Sequence, residues 1–417
     1  MATCIDLFAG CGGLSLGLAR AGFTPAFAVE EHKDAFETYR TNLLDHAARR
    51  RWPAWLPIGP INIWRLLDEH HGDLASLAGT IDLVGGGPPC QGFSTNGRRD
   101  RGDPRNRLID AHLEVVSLVQ PQFVLIENVR GFASMPHEDG GTFPDYVSQR
   151  LKDLAYDSWH EIVLASDFGV PQTRPRFILV AARKESLPGI DPFSRLRTSH
   201  RSFLAKRGLG PGPTTTRQAI GDLEVSLGGS VPDPEWGSQG FLAARYAEPR
   251  EPNAFVRLMR AGARECPSDM RLARHRKAAS GRMEEIIATC LPGRVLTAAD
   301  RKRLGIAKRT TTLLDADAPS PTISTLPDDL VHYSEPRTMT VREHARLQSF
   351  PDWFRFSGPY TAGGLERRLA CPRYTQVANA VPPLLAEAIG ELLLGLLRDS
   401  EPEDSLPRLG HAAAQIC

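Results

Sequence analysis

Short apolar runs alternate with helix-period segments through the first 184 residues of this chain. Residues 3–8 form the first run and end in a glycine cluster, after which residues 14–20 carry apolar side chains at helical spacing. Residues 25–30 read as a second strand and residues 35–44 as a second helix. Further strands are predicted at 81–84, 123–127, 161–165 and 177–182, with helices at 108–119 and 146–156. Strands alternating with amphipathic helices pack as a mainly parallel sheet with helices on both faces. The predicted class is α/β, a doubly wound, Rossmann-like domain over residues 1–184.

The texture changes after Lys184. Residues 185–335 are rich in proline, glycine and short basic runs, notably 271–277 and 301–309, and read as a smaller, irregular second domain. Helical spacing returns at 340–347, and residues 384–397 form a strongly apolar helix. Residues 336–365 thus read as a return segment, 366–400 as the closing part of the first domain, and 401–417 as a polar tail expected to fray. No run is apolar and long enough to suggest a membrane span, and the first residues lack the pattern of a signal peptide. A cytoplasmic protein is expected. The seven cysteines are odd in number and include no C-x-x-C pair, which fits a reducing compartment and no bound metal. With a formal net charge of +1, any attraction for nucleic acid must come from local clustering.

Four stretches carry candidate chemistry. The first is Asp6-Leu7-Phe8-Ala9-Gly10-Cys11-Gly12-Gly13, a turn from strand to helix. Glycines there let backbone approach a ligand closely, and the helix N-terminus favours an anionic group. Glu30, ending the second strand, is placed to accept hydrogen bonds from ribose hydroxyls. A tight turn with no ligand would look similar, and the spacing is not G-x-G-x-x-G.

The second stretch is Gly85-Gly86-Gly87-Pro88-Pro89-Cys90-Gln91-Gly92-Phe93-Ser94, directly after a predicted strand. Sites in open α/β sheets form at such strand ends. A lone cysteine is more often a small core residue, but between these prolines and glycines Cys90 reads as a nucleophile. The loop that follows carries Arg98, Arg99, Arg101, Arg105 and Arg107, and reads as a mobile segment meeting phosphates or as a solvated charged loop. Third, residues 123–129 end a buried strand in Glu127-Asn128-Val129, a carboxylate able to hold a ring nitrogen. Fourth, Gln172, Arg174 and Arg176 alternate and would share one face of an extended strand, a ridge suited to a base and its backbone.

Together, and in this order, these motifs resemble the DNA cytosine-C5 methyltransferase family. The resemblance covers residues 1–184 and about 336–396, and includes Arg337 to Gln348 as the family's arginine-glutamate helix and Gln376 to Pro383 as its closing motif. It implies an AdoMet-dependent (S-adenosylmethionine) methyltransferase domain with residues 185–335 as the target-recognition domain. It implies Asp6, Phe8, Gly10, Gly12, Gly13, Glu30, Asn62, Ile63, Pro89, Leu108, Asn379 and Ala380 as the cofactor site. Cys90, Glu127, Arg174 and Arg176 become the catalytic set, and Gln91, Ser94, Arg98, Arg105 and Gln172 contact DNA. Two positions depart from the family pattern: Ala378 stands where glycine is usual, and Asn62 where aspartate is usual, so an amide carbonyl replaces a charge at the adenine.

The implied reaction starts with Cys90 adding to C6 of a flipped-out cytosine, which makes C5 electron-rich. Glu127 would act at N3 and Arg174 at O2. Duplex DNA is the expected partner of a monomer, and a companion restriction endonuclease or defence system is left open. The other readings are a tRNA cytosine-C5 methyltransferase of the same fold, whose Cys-Phe-Thr signature is absent here, an inactive DNA-binding homologue, and a nicotinamide enzyme.

Overall fold

A computed structural model describes residues 1–89, 107–138, 140–184, 190–361 and 369–400. Its strands in the first domain are β1 (Thr3–Leu7), β2 (Thr24–Val29), β3 (Leu83–Gly86), β4 (Phe123–Val129), β5 (Tyr156–Leu164), β6 (Gln172–Thr173) and β7 (Pro175–Arg183). The central sheet runs β2-β1-β3-β4-β7-β5. The first four strands are parallel, whereas β7 is antiparallel to both β4 and β5. The reversal follows from chain length. A parallel crossover needs a dozen or more residues, and the link from Leu164 to Pro175 is shorter than that.

Apolar residues alternate between the two faces. On β4, Phe123 and Leu125 enter one core while Val124 and Ile126 enter the other. On β7, Ile178 and Val180 face the first core and Phe177 and Leu179 the second. The helices are α1 (Gly13–Ala21), α2 (Lys33–Leu43), α3 (His46–Arg51), α4 (Ile63–Glu69), α5 (His71–Ser76), α6 (Leu108–Val119), α7 (Phe143–Asp153) and α8 (Pro192–Lys206). Side chains from α4, α6 and α7 fill the second core. The first core is filled by α1, α8 and the helix Pro383–Ser400, which returns from the far end of the sequence. Close approach is built in: a Cβ on Gly17 would lie 2.4 Å from Ala386 Cβ and 2.5 Å from Pro383 O.

The stretch Arg373–Asp399 is long and apolar enough to cross a membrane by length and composition, which the sequence reading did not expect of any segment. Most of it is buried inside the protein, as a core helix is.

The described part of residues 185–335 divides differently from the expected single unit. Phe193, Leu196, Phe203 and Leu204 of α8 join the first core, packing against Pro383–Ser400 and β5. Their spacing is helical and was readable, but the surrounding basic residues masked it. Further along, Met283, Ile286, Cys290, Leu296, Leu304, Leu313 and Val331 form a small core of their own. The basic run at 271–277 is only partly free. Arg271 lies over the rings of Tyr360 (3.7 Å) and Phe241 (4.4 Å), and Arg274 over Phe241 (3.9 Å).

The helix Val341–Leu347 is buried on every residue and holds these parts together through charge. Arg346 is fully buried, and all of its five N–H donors are used. They reach Asp352 (2.6 and 2.7 Å), Asp222 (3.1 and 3.2 Å) and the Ala219 carbonyl (2.9 Å). Removing a partner from such a network strands buried charge, which typically costs several kcal/mol. Arg346→Ala is therefore expected to lower unfolding stability by about 3–5 kcal/mol. Urea denaturation checks this: a midpoint close to the parent's would mean that Asp222 and Asp352 find other partners.

Candidate active site

The chain leaves β1 toward β2 on one side and β3 on the other, so the order switches between β1 and β3. Crevices outside the carboxyl ends of strands at such a switch are where open α/β sheets bind ligands. The turn after β1, Glu30 after β2, Pro88 and Pro89 after β3, and Glu127 at the end of β4 all gather at this edge.

The turn is held in a strained shape. Phe8 has φ 59°, in the left-handed region that side chains seldom occupy, and Gly10 and Gly12 follow at φ 56° and 97°. Glu30 ties the turn down: its carboxylate accepts from Gly10 N (2.9 Å) and His32 N (2.7 Å). Burial raises the pKa of Glu30 despite these donors. Asp6 serves the helix. Its Oδ2 accepts from Ser15 N (3.1 Å) and Ser15 Oγ (2.6 Å), doing the work of a cap that Gly12 lacks. The other oxygen of Asp6 is buried with no partner among the described residues, and burial pushes the carboxyl up to about 7.

The glycines have different jobs. A Cβ on Gly12 would collide with Leu43 Cδ1 at 2.5 Å and Tyr39 Cδ2 at 2.9 Å, and one on Gly13 with Val381 O at 2.3 Å. A Cβ on Gly10 meets nothing within 4 Å. Of these three only Gly10 borders open space among the described residues, so Gly10→Val, though strained at φ 56°, is expected to weaken AdoMet binding with a smaller loss of stability than a colliding side chain causes. Gly12→Val is expected to lower stability as well. Calorimetric titration beside thermal unfolding separates the two, and unchanged AdoMet affinity in Gly10→Val would move the cofactor away from this turn.

Asn62 lies close by, since Ile61 N donates to the Glu30 carbonyl at 2.8 Å. The side-chain carbonyl of Asn62 caps α4 by accepting from Trp64 N (2.9 Å), and its amide donates to Glu31 (2.5 Å). Ile63 is buried in the second core, and Leu108 packs against that core at the start of α6. Across the crevice, the closing motif touches the turn: Cys11 Sγ lies 3.6 Å from Gln376 O. Asn379 is exposed there and Ala380 buried.

Pro89 is exposed, and Cys90, Gln91, Ser94, Arg98 and Arg105 lie outside the described residues. The approach to Cys90 is anchored on β4. Asn128 Nδ2 donates to Pro88 O (3.2 Å), and an added Cβ on Gly87 would stand 3.0 Å from Glu127 Oε2. Arg176 Nε pairs with Glu127 Oε1 at 2.8 Å, both side chains about nine-tenths buried. Register explains the pair. Glu127 is opposite Ile178, so Arg176 is its diagonal neighbour on the same face. Burial lowers the pKa of Arg176, and the Glu127 charge opposes that shift.

The ridge expected of Gln172, Arg174 and Arg176 does not form. The strand breaks at Arg174, with β6 pairing to Ser320–Pro321 and β7 to the main sheet. Arg174, expected at O2 of the base, turns the other way and donates to Ala378 O at 2.5 Å and Gln172 Oε1 at 3.3 Å. Gln172, expected on DNA, is fully buried. It donates to Leu347 O (3.1 Å) and Gln348 Oε1 (2.8 Å) and accepts from Ile323 N (3.1 Å). Arg174 fastens the closing motif to the sheet, and Gln172 fastens the end of the helix Val341–Leu347. Sequence reasoning also passed over His112, buried near the Phe8 ring (centroids 6.5 Å apart), with neither ring nitrogen bonded among the described residues. Burial pushes its pKa down to about 3, so it stays neutral. A lone histidine in an apolar helix gives no signal of that kind.

Comparison with known proteins places the chain in a family. The model of the C-5 cytosine-specific DNA methylase family matches residues 2–394, and the chain belongs to that family. It is 31% identical to the type II methyltransferase M.XorII of Xanthomonas oryzae pv. oryzae, over 96% of this chain and 86% of that protein. It is 29% identical to M.DdeI of Desulfomicrobium norvegicum, over 95% and 91%. A prophage-encoded E. coli protein described as a DNA modification methyltransferase has a crystal structure of similar fold. It has a TM-score of 0.67 at 27% identity, covering 95% of this chain and all of that one. The chain is a DNA cytosine-5 methyltransferase.

Proposed function

We propose that this enzyme methylates C5 of a flipped-out cytosine in one short duplex sequence, through a transient bond between Cys90 and C6. The observation that carries the reading is the buried Glu127–Arg176 pair, set against the Pro88–Pro89 approach to Cys90 at the sheet's switch point. Members of a methyltransferase family generally use AdoMet, which supplies the methyl group when bound. Phe8, Gly10, Glu30, Asn62 and Asn379 would hold it. The open space over Gly10 and the unpartnered oxygen of Asp6 fit a polar ligand there.

C5 of cytosine is a poor nucleophile. Addition of the Cys90 thiolate to C6 forms one C–S bond and shifts electron density to C5, N3 and O2. Glu127 is suited to hand a proton to N3 as density builds there and to take it back when Cys90 leaves, and Arg176, rather than Arg174, to oppose charge at O2. C5 then accepts the methyl group, its proton leaves to water, and the electron pair returned to the ring expels Cys90. The ring faces are shielded in a stacked duplex, so the base must leave the stack. Residues between 185 and 335 would choose the sequence, except that α8 packs as part of the catalytic body. A chromosomal substrate puts the enzyme in the cytoplasm, and a companion endonuclease would fit the type II relatives. Expression in a host without cytosine methylation, followed by genome-wide mapping of 5-methylcytosine, is expected to reveal one short motif. A map without 5-methylcytosine would overturn the proposal.

A further inference from the structure

The small core in the second half of the chain displays a short loop. Cys290 and Leu296, both buried in that core, bracket residues 291–295, all of which are exposed. The loop is pinned at three points. Gly293 N donates to Leu313 O (2.8 Å), Val295 bridges Thr312, and Leu296 N donates to Thr311 O (2.9 Å). Gly293 adopts φ +76°, and a Cβ there would stand 3.3 Å from Asp315 Cβ, so the turn fits tightly on its support. At the far end, Arg301 Nη1 holds the Leu296 carbonyl at 2.7 Å.

A loop held this firmly presents unusual side chains. Leu291 is 70% exposed and Val295 52%, and between them stands exposed Arg294. Some cations of the unit are committed, and the exposed Arg282, Lys302 and Arg309, which form no ion pair among the described residues, lie outside this pinned loop. Arg303 is tied to Glu285 and Asp300, and Lys308 to Asp328 and Asp329. Arg294 has no ion pair or hydrogen bond among the described residues. An unengaged guanidinium on a rigid tip, flanked by two apolar side chains, matches what the DNA major groove offers. A guanine presents O6 and N7 to a bidentate arginine, and a thymine methyl accepts apolar contact. A pinned loop also loses little conformational freedom on docking.

The unit is connected to the reaction centre. Ser320–Pro321 pairs with β6, which ends three residues before Arg176, and the chain from there reaches Ser324, which bonds Asp329, itself bonded to Thr310 of the same small unit.

We propose that Arg294 is a specificity-determining residue that reads a guanine of the target motif from the major groove, with Leu291 and Val295 in apolar contact beside it. The inference rests on the proposed function, since it needs a duplex DNA substrate. The test maps 5-methylcytosine for the parent, Arg294→Ala and Arg303→Ala, expressed in a host without cytosine methylation, with AdoMet affinity measured alongside. Arg294→Ala is expected to keep AdoMet affinity while discrimination at one guanine of the motif falls about 5- to 150-fold. Arg303→Ala is expected to keep the parent motif. An Arg294→Ala map with undiminished discrimination overturns the inference while leaving the proposed function standing. Equal relaxation in Arg303→Ala overturns it too, because general loosening of the unit would then explain both. A parent that marks no motif overturns the proposed function and this inference together.

Discussion

Replacing Cys90 with alanine is expected to abolish methyl transfer, by at least about a thousandfold in single-turnover rate, because loss of a covalent nucleophile removes the step on which the others depend. The variant should keep its fold, since only one thiol hydrogen-bonding group is lost. Duplex DNA carrying 5-fluorocytosine gives a sharper readout. Fluorine at C5 cannot leave as the proton does, so the C–S bond at C6 persists and a denaturation-resistant complex accumulates. Such a complex formed equally well by Cys90→Ala would remove Cys90 from the mechanism.

Glu127→Gln is expected to slow the chemical step by about 10²- to 10³-fold, the scale seen when one group stabilising developing charge is lost. The amide is isosteric and its oxygen still accepts from Arg176 Nε, but the buried Arg176 charge loses its counter-charge, so the rate change is read beside a drop in unfolding stability. AdoMet affinity should be unchanged, because the role proposed for Glu127 is at the base and not at the cofactor. A matching drop in Arg176→Lys, against little change of rate in Arg174→Lys, would assign charge stabilisation to the residue paired with Glu127. An unchanged single-turnover rate in Glu127→Gln would exclude it from catalysis.

The motifs of the first domain were legible because each is bound to local backbone. The turn around Gly10 and Gly12 demands glycines, and Glu127 ends a run whose alternation announces a strand. What was not legible depended on the chain leaving that local frame. Strict alternation put Gln172, Arg174 and Arg176 on one face, but the strand is handed from one partner to another between Thr173 and Pro175. Nothing in the sequence around Arg174 announces its acceptor on Ala378, more than two hundred residues away. The helix α8 was missed for the opposite reason: its apolar period is regular, but it is interleaved with arginines that serve surface ion pairs. Arg346 likewise reads as an ordinary helix cation until its two buried carboxylates are seen.

The packing of α1 against Pro383–Ser400 has a consequence for the life of the newly made polypeptide. Gly13 and Gly17 present their bare backbone to Val381, Pro383 and Ala386, which leave the ribosome more than three hundred residues later. Until then the first helix has no lid, and the apolar stripe of Leu14 and Leu18 stays wet. Contacts so far apart along the chain form slowly and late, and exposed apolar surface meanwhile invites association. The turn after β1 is thus completed by a segment synthesised more than three hundred residues after it. A chain that stops short of Val381 holds Cys90, Glu127 and Arg176 but leaves the turn after β1 uncovered.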